Sequence, residues 1–198
     1  SRKCIWNVPG PSARAAARVP ATLNCAKAVS AAQDVGDQIS AALTANDAAD
    51  RAAALADISA SEVGAKAVVD FAQAAALADA GEPEKAASLL DTVAQQSELP
   101  QVYRDIAAFK SVILQADTLP VEDRRLRLET LAAAGGSLQF LASEQLALLD
   151  IEAGDTDAAL ARLKEIAASA GVSRDLQERV SQVIVALGGS PEAEAQEG

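Results

Sequence analysis

The sequence contains no histidine and no methionine, and only one tryptophan, one tyrosine, three phenylalanines and two cysteines in 198 residues. Without histidine the commonest general base and the commonest metal ligand are missing, and neither a Ser/His/Asp nor a Cys/His set can be assembled. Cys4 and Cys25 do not have metal-type spacing, and a disulfide between them and two unrelated free thiols fit the sequence equally well. No apolar run reaches the length of roughly 18 residues that a membrane-spanning helix needs. Gly135-Gly136 and Gly188-Gly189 are not phosphate loops, because neither follows a strand or precedes Lys-Ser/Thr. No cofactor and no metal is expected. The missing initiator methionine is what a processed or trimmed chain would show.

What the chain does have is alanine, 48 residues of it, within an apolar fraction of 50%. Alanine is the strongest helix former, and the β-branched and aromatic residues that favour strands are sparse, so an all-α fold is expected. Formal net charge is −11, unevenly placed. Residues 1–33 carry Arg2, Lys3, Arg14, Arg18 and Lys27 with no acid, while the remainder holds 12 bases against 28 acids. An acidic body disfavours nucleic acid as a partner, since phosphate contacts need clustered Lys and Arg.

Three sections follow from this. Residues 1–33 form a basic arm punctuated by Pro9, Pro11 and Pro20, and they read as a linker, a transit-like segment or a non-native extension. Residues 34–187 carry helical periodicity. Residues 188–198 form an acidic tail with nothing to bury. Within the middle section, two helical segments flank an Asn46-Asp47 turn. Helices are then expected at 61–80 with Ser61 as cap, 83–96, 100–118, 120–134, 138–153, 156–169 and 174–187. Gly81, Gly135-Gly136, Gly154 and Gly171 act as stops, and Pro83, Pro100 and Pro120 as starts.

The stretch beginning Gly81-Glu82-Pro83-Glu84 returns 73 residues later as Gly154-Asp155-Thr156-Asp157. Ala86 matches Ala159, Leu90 matches Leu163, Val93 matches Ile166, and Ala74 matches Ala147. A 73-residue offset is close to two periods of a helix–turn–helix repeat of about 34 residues. The paired acids Glu82/Glu84 and Asp155/Asp157 read as helix N-terminal charges rather than acid/base catalysts.

These residues resemble the second half of a tetratricopeptide repeat, in which a Gly-acid turn precedes helix B and a small residue marks the closest crossing of helices A and B. Gly81 with Ala86 and Gly154 with Ala159 fill those positions. Leu77 and Asp150 stand where the repeat has an aromatic. The segment from about 36 to 187 is also similar to the bacterial ancillary Sec-translocon subunit family, through Leu99-Pro100-Gln101-Val102-Tyr103-Arg104-Asp105 between repeats. That resemblance implies an antiparallel helix-pair solenoid of about three pairs plus a C-terminal capping helix. It further implies an N-terminal membrane anchor, a repeat domain on the periplasmic face of the bacterial inner membrane, and the translocon or a periplasmic chaperone as protein partner.

Two sets of residues are candidates for partner binding. Phe71, Tyr103 and Phe109 lie on first helices of their pairs, where aromatics either anchor a bound segment or pack the core. Arg124, Arg125 and Arg127 form the densest basic stretch. They either hold an acidic partner or make local pairs such as Glu122–Arg125, Asp123–Arg127 and Arg125–Glu129 on a solvated face. The expected function is a non-enzymatic protein-interaction scaffold, with self-association in an envelope assembly as a second binding reading. The alternative from another class is a helical accessory domain of a larger enzyme.

Overall fold

The computed structural model describes residues 21–190, with side chains from residue 29 onward. Cys4, Trp6, the three arm prolines, the Cys25 side chain and the tail from 191 lie outside the described residues. Among the described residues the chain is all-α, with nine helices and no strand. They are α1 (Ala21–Ala42), α2 (Ala48–Ala56), α3 (Val63–Asp79), α4 (Pro83–Ala94), α5 (Gln101–Leu114), α6 (Val121–Ala133), α7 (Gln139–Glu152), α8 (Thr156–Ala168) and α9 (Arg174–Ala186). The compositional boundary at 33/34 falls inside α1, because the arm differs there in charge and not in helix propensity.

Local chemistry accounts for most helix ends. The Asp47 carboxylate caps α2 by accepting the Asp50 N–H at 2.7 Å, Asp155 caps α8 through the Ala158 N–H at 3.0 Å, and Ser173 caps α9 through the Leu176 N–H at 3.3 Å. Pro83 sits in the first turn of α4, where its missing N–H costs nothing. Pro100 and Pro120 lie one residue further out, at the N-cap positions of α5 and α6. Ser61 does not cap α3. Glu62 occupies that position, and its carbonyl accepts the Lys66 N–H at 2.9 Å. Helix α5 stops at Leu114, four residues before its expected end, because the N–H groups of Gln115, Ala116 and Thr118 turn back to carbonyls three residues earlier.

Gly81 and Gly154 adopt the same left-handed backbone, with φ of +78° and +79°. In both copies the glycine N–H bonds the carbonyl three residues back (Ala78 and Ile151, 3.0 Å each) and the following N–H bonds the carbonyl five back (Leu77 and Asp150, 2.9 Å each). This is the Schellman closure that satisfies the last carbonyls of a helix, and only glycine enters it without strain. Nothing lies within 4 Å of a Cβ built at either position. Gly81→Ala and Gly154→Ala should therefore each cost about 1–2 kcal/mol from backbone strain alone, as left-handed φ does for an L-residue. A urea midpoint shared with the wild type in both variants would refute this.

The core divides into four clusters along the chain. Val35, Leu55 and Val69 belong to the first, formed by α1, α2 and α3. Ala74, Ala86, Leu90, Val93 and Ala107 belong to the second, between α3, α4 and α5. Val112, Leu128, Leu131 and Leu146 join α5, α6 and α7, and Ala147, Leu163, Ile166, Val180 and Ile184 join α7, α8 and α9. Helices α3, α5 and α7 each feed two clusters, whereas α4, α6 and α8 feed one. The residues matched at an offset of 73 are the buried ones: Ala86 and Ala159 are both 0% exposed, and Leu90, Leu163, Val93 and Ile166 are at most 2%.

Candidate functional site

Helices α3 and α5 form the walls of an apolar cleft of about 320 Å³. On α3 it is lined by Phe71, Ala74, Ala75 and Ala78, which share one face because they recur at spacings of three and four. On α5 it is lined by Phe109, Ile113 and Leu114, with Leu90 of α4 below. Two charged residues complete the lining, Asp79 and Lys110. Three alanines between two phenylalanines leave a depression that larger side chains would close. Ile113 remains 40% exposed at its edge. Phe71 and Phe109 also pack against the second and third core clusters, so each ring serves the core and the cleft at once.

Of the three aromatic candidates, the structure brings together Phe71 and Phe109 and leaves Tyr103 out. Tyr103 is 48% exposed in the first turn of α5. It stands seven residues before Lys110 and eleven before Leu114, so it shares their side of α5, but it lies about 9 Å nearer the helix N-terminus than Phe109 and is not part of the lining. The cleft residues Ala75, Ala78, Ile113 and Leu114 belong to stripes that helical periodicity assigns to the core. Their signal as a site is the run of alanines beside Phe71, which leaves the ring without a bulky neighbour along its own face of α3.

The arginine candidates have intramolecular partners instead. Arg124 is 8% exposed and its Nη2 donates to both Glu152 oxygens at 3.1 and 3.2 Å. Arg125 donates to Asp150 at 2.8 Å, and Arg127 to Asp91 at 3.2 Å. The local pairs Glu122–Arg125, Asp123–Arg127 and Arg125–Glu129 are not among the ion pairs of the described residues. These three arginines tie α6 to α7 and α4 across helices, which a one-helix reading of charge spacing does not reveal. They are therefore poorly placed as a free basic surface.

Helix α7 is the hub of this polar framework. The Asp150 side chain, 6% exposed, accepts from Arg125 on α6 and from Arg162 on α8 at 3.2 Å. Glu144, also on α7, takes a two-pronged contact from Arg179 of α9 at 2.5 and 2.8 Å. That hydrogen bonding raises Arg179 above its ordinary value, while burial pulls the other way. Since arginine is charged at any ordinary pH, no pH dependence follows. Asp150 occupies the position that Leu77 holds in the first copy, so one copy fills it with a methyl-bearing side chain and the other with a neutralised charge.

A larger cleft of about 450 Å³ lies between the start of α3 and the α4–α5 loop, lined by Ser61, Glu62, Lys66, Gln95 and Glu98 among others. It is wet and open. Its one cation, Lys66, is held 2.5 Å from the buried Asp70 carboxylate. Among the described residues, no cluster of three or more His, Cys, Asp or Glu is arranged to hold a metal ion. No described helix is long and apolar enough to cross a membrane. The acids Glu84 and Asp157 lie in first turns and Asp155 is a cap, as expected of helix-terminal charge. No family model, no curated protein and no solved structure matches the chain.

Proposed function

We propose that this chain is a tetratricopeptide-like scaffold that binds a protein partner and performs no catalysis, with a short segment of the partner held in the α3–α5 cleft. The observation that carries this reading is the meeting of Phe71 and Phe109, from alternate helices, around an alanine floor that stays open to solvent. Aromatic side chains lining a depression that a partner desolvates on binding are the residue type that concentrates binding energy. The solenoid part of the reading is supported by the paired left-handed glycines, the paired buried alanines and a core strung out in successive clusters, as expected when each repeat packs on its neighbours. By resemblance, the partner belongs to the Sec translocon or its periplasmic chaperones, and the protein works at the periplasmic face of the inner membrane through an N-terminal anchor.

The test is a photoreactive residue placed at Ile113, in the cleft, and in a control at Val185, which is 60% exposed on α9. Ala75→Trp, at an exposed cleft position, fills the space without disturbing the core. The Ile113 probe should give a partner adduct in the protein's own cells that Ala75→Trp reduces several-fold. Equal adducts from both probes, or an adduct indifferent to Ala75→Trp, would overturn the proposal.

A further inference from the structure

Resting on the cleft reading above, the occupant itself can be assigned a chemistry. We propose that the α3–α5 cleft selects a cationic segment, with one large apolar side chain seated between Phe71 and Phe109 and flanking Lys or Arg residues, free of Asp and Glu. The apolar half of this rule comes from the lining, where an aliphatic or aromatic anchor gains most by displacing water from the alanine floor. The charge half comes from what surrounds it.

Asp79 stands in the lining with its side chain 70% exposed, and its contact with Arg51 is at 4.0 Å, the outer limit of an ion pair. Its carboxylate can accept a second donor. Residues 62–117, which include both walls, hold nine acids and four bases, of which Glu62 and Glu98 line the other cleft and Asp91 pairs with Arg127 of α6. Two of those bases cancel two of those acids at short range, Lys66 with Asp70 and Lys85 with Glu82, each at 2.5 Å. A third, Arg104, donates to Gln101 on the same helix. Lys110 is the one base that lines the cleft. A cationic segment meets Asp79 directly, and at low ionic strength, where the Debye length reaches about 30 Å, it also feels the acidic body of the chain, 12 bases against 28 acids from residue 34 onward. An acidic segment can pair with Lys110 and approach Arg51 beside Asp79, but it has that excess against it. The balance favours positive charge on the partner.

The experiment uses three labelled short peptides with one shared Trp anchor and flanks of Lys, Gln or Glu, titrated into the full chain by fluorescence anisotropy. At low ionic strength the Lys peptide should bind roughly tenfold tighter than the Glu peptide, and the gap should close as salt is added. Asp79→Lys should shrink the preference, and Ala75→Trp should abolish binding of all three. Equal affinity for the three peptides, with Ala75→Trp still blocking each, would overturn the charge assignment and leave the cleft as a binding site. No binding by any of them, or binding untouched by Ala75→Trp, would overturn the cleft reading itself. Sedimentation showing a dimer that Ala75→Trp dissociates would put a second copy in the cleft, and would also overturn the proposal.

Discussion

Replacing Arg124 and Arg125 together by glutamate should cost about 3–5 kcal/mol of stability, a large share of the roughly 5–15 kcal/mol that holds a domain folded. Asp150 is 4% exposed and depends on Arg125 and Arg162 for neutralisation. Reversal at position 125 sets a second carboxylate against it in a site water scarcely enters. Reversal at position 124 buries a carboxylate where the structure has a guanidinium aimed at Glu152. Two companions make the cause readable. Arg127→Glu, at a pair whose partners are 42% and 32% exposed, should change stability by less than about 1 kcal/mol. Adding Asp150→Leu to Arg125→Glu should recover most of that substitution's own loss, since Leu77 shows that the equivalent position of the first copy accepts leucine. Urea unfolding followed by helical circular dichroism measures all of these. A doubly reversed variant as stable as the wild type would show that Asp150 is not held by these arginines.

The same residues show where sequence reasoning stops. Charge spacing along one helix predicts neighbours three and four residues apart, and in α6 those neighbours were available. The arginines turned instead to acids 25 to 36 residues away: Asp150, which is buried and loses most by remaining unpaired, and the more exposed Glu152 and Asp91, which α7 and α4 bring within reach. Nothing within a single helix records which other helix lies beside it. By contrast, helix ends were legible because they are local: a left-handed glycine, a capping Asp or Ser, or a proline decides them within a few residues. Ser61 was misread for a related reason. With Ser61 and Glu62 side by side, propensity alone favours the serine, while the helix begins one residue later.

The cleft lies between these extremes. Phe71 and Phe109 were identifiable as rings on first helices, and the alanine stripe of α3 was visible beside them. Periodicity assigns such a stripe to the core, and Ala74 at 2% exposure bears that out, but Ala75 next to it faces the cleft. Whether an alanine floor is covered depends on the side chain opposite, and that requires knowing how far apart α3 and α5 stand. Tyr103 lies on the Lys110–Leu114 side of α5 but about two turns before Lys110, so the axial extent of the cleft, which helical arithmetic does not supply, leaves it out of the lining.

Ala159→Leu should destabilise the chain by about 1–3 kcal/mol, and Ala86→Leu by a similar amount. Both alanines are 0% exposed, one turn into the helix that follows a Schellman glycine, where α3 meets α4 and α7 meets α8. Ala74 and Ala147, equally closed to solvent, stand on the partner helices. Small residues on both sides permit the helix axes to approach closely, and three added carbons must either drive the axes apart or take up a strained rotamer. Separation would carry a second penalty in each copy, because Leu90 or Leu163 one turn on would lose contact with the same cluster. The control is Ala161→Leu on α8, at an exposed position, which should move stability by no more than about 0.5 kcal/mol. A similar loss at 86 and 159, 73 residues apart in sequence, with none at 161 would mean that the two copies are one structural device used twice. Loss at only one of the two would confine close crossing to that pair, and the matched spacing of glycine and alanine would then say nothing about the other.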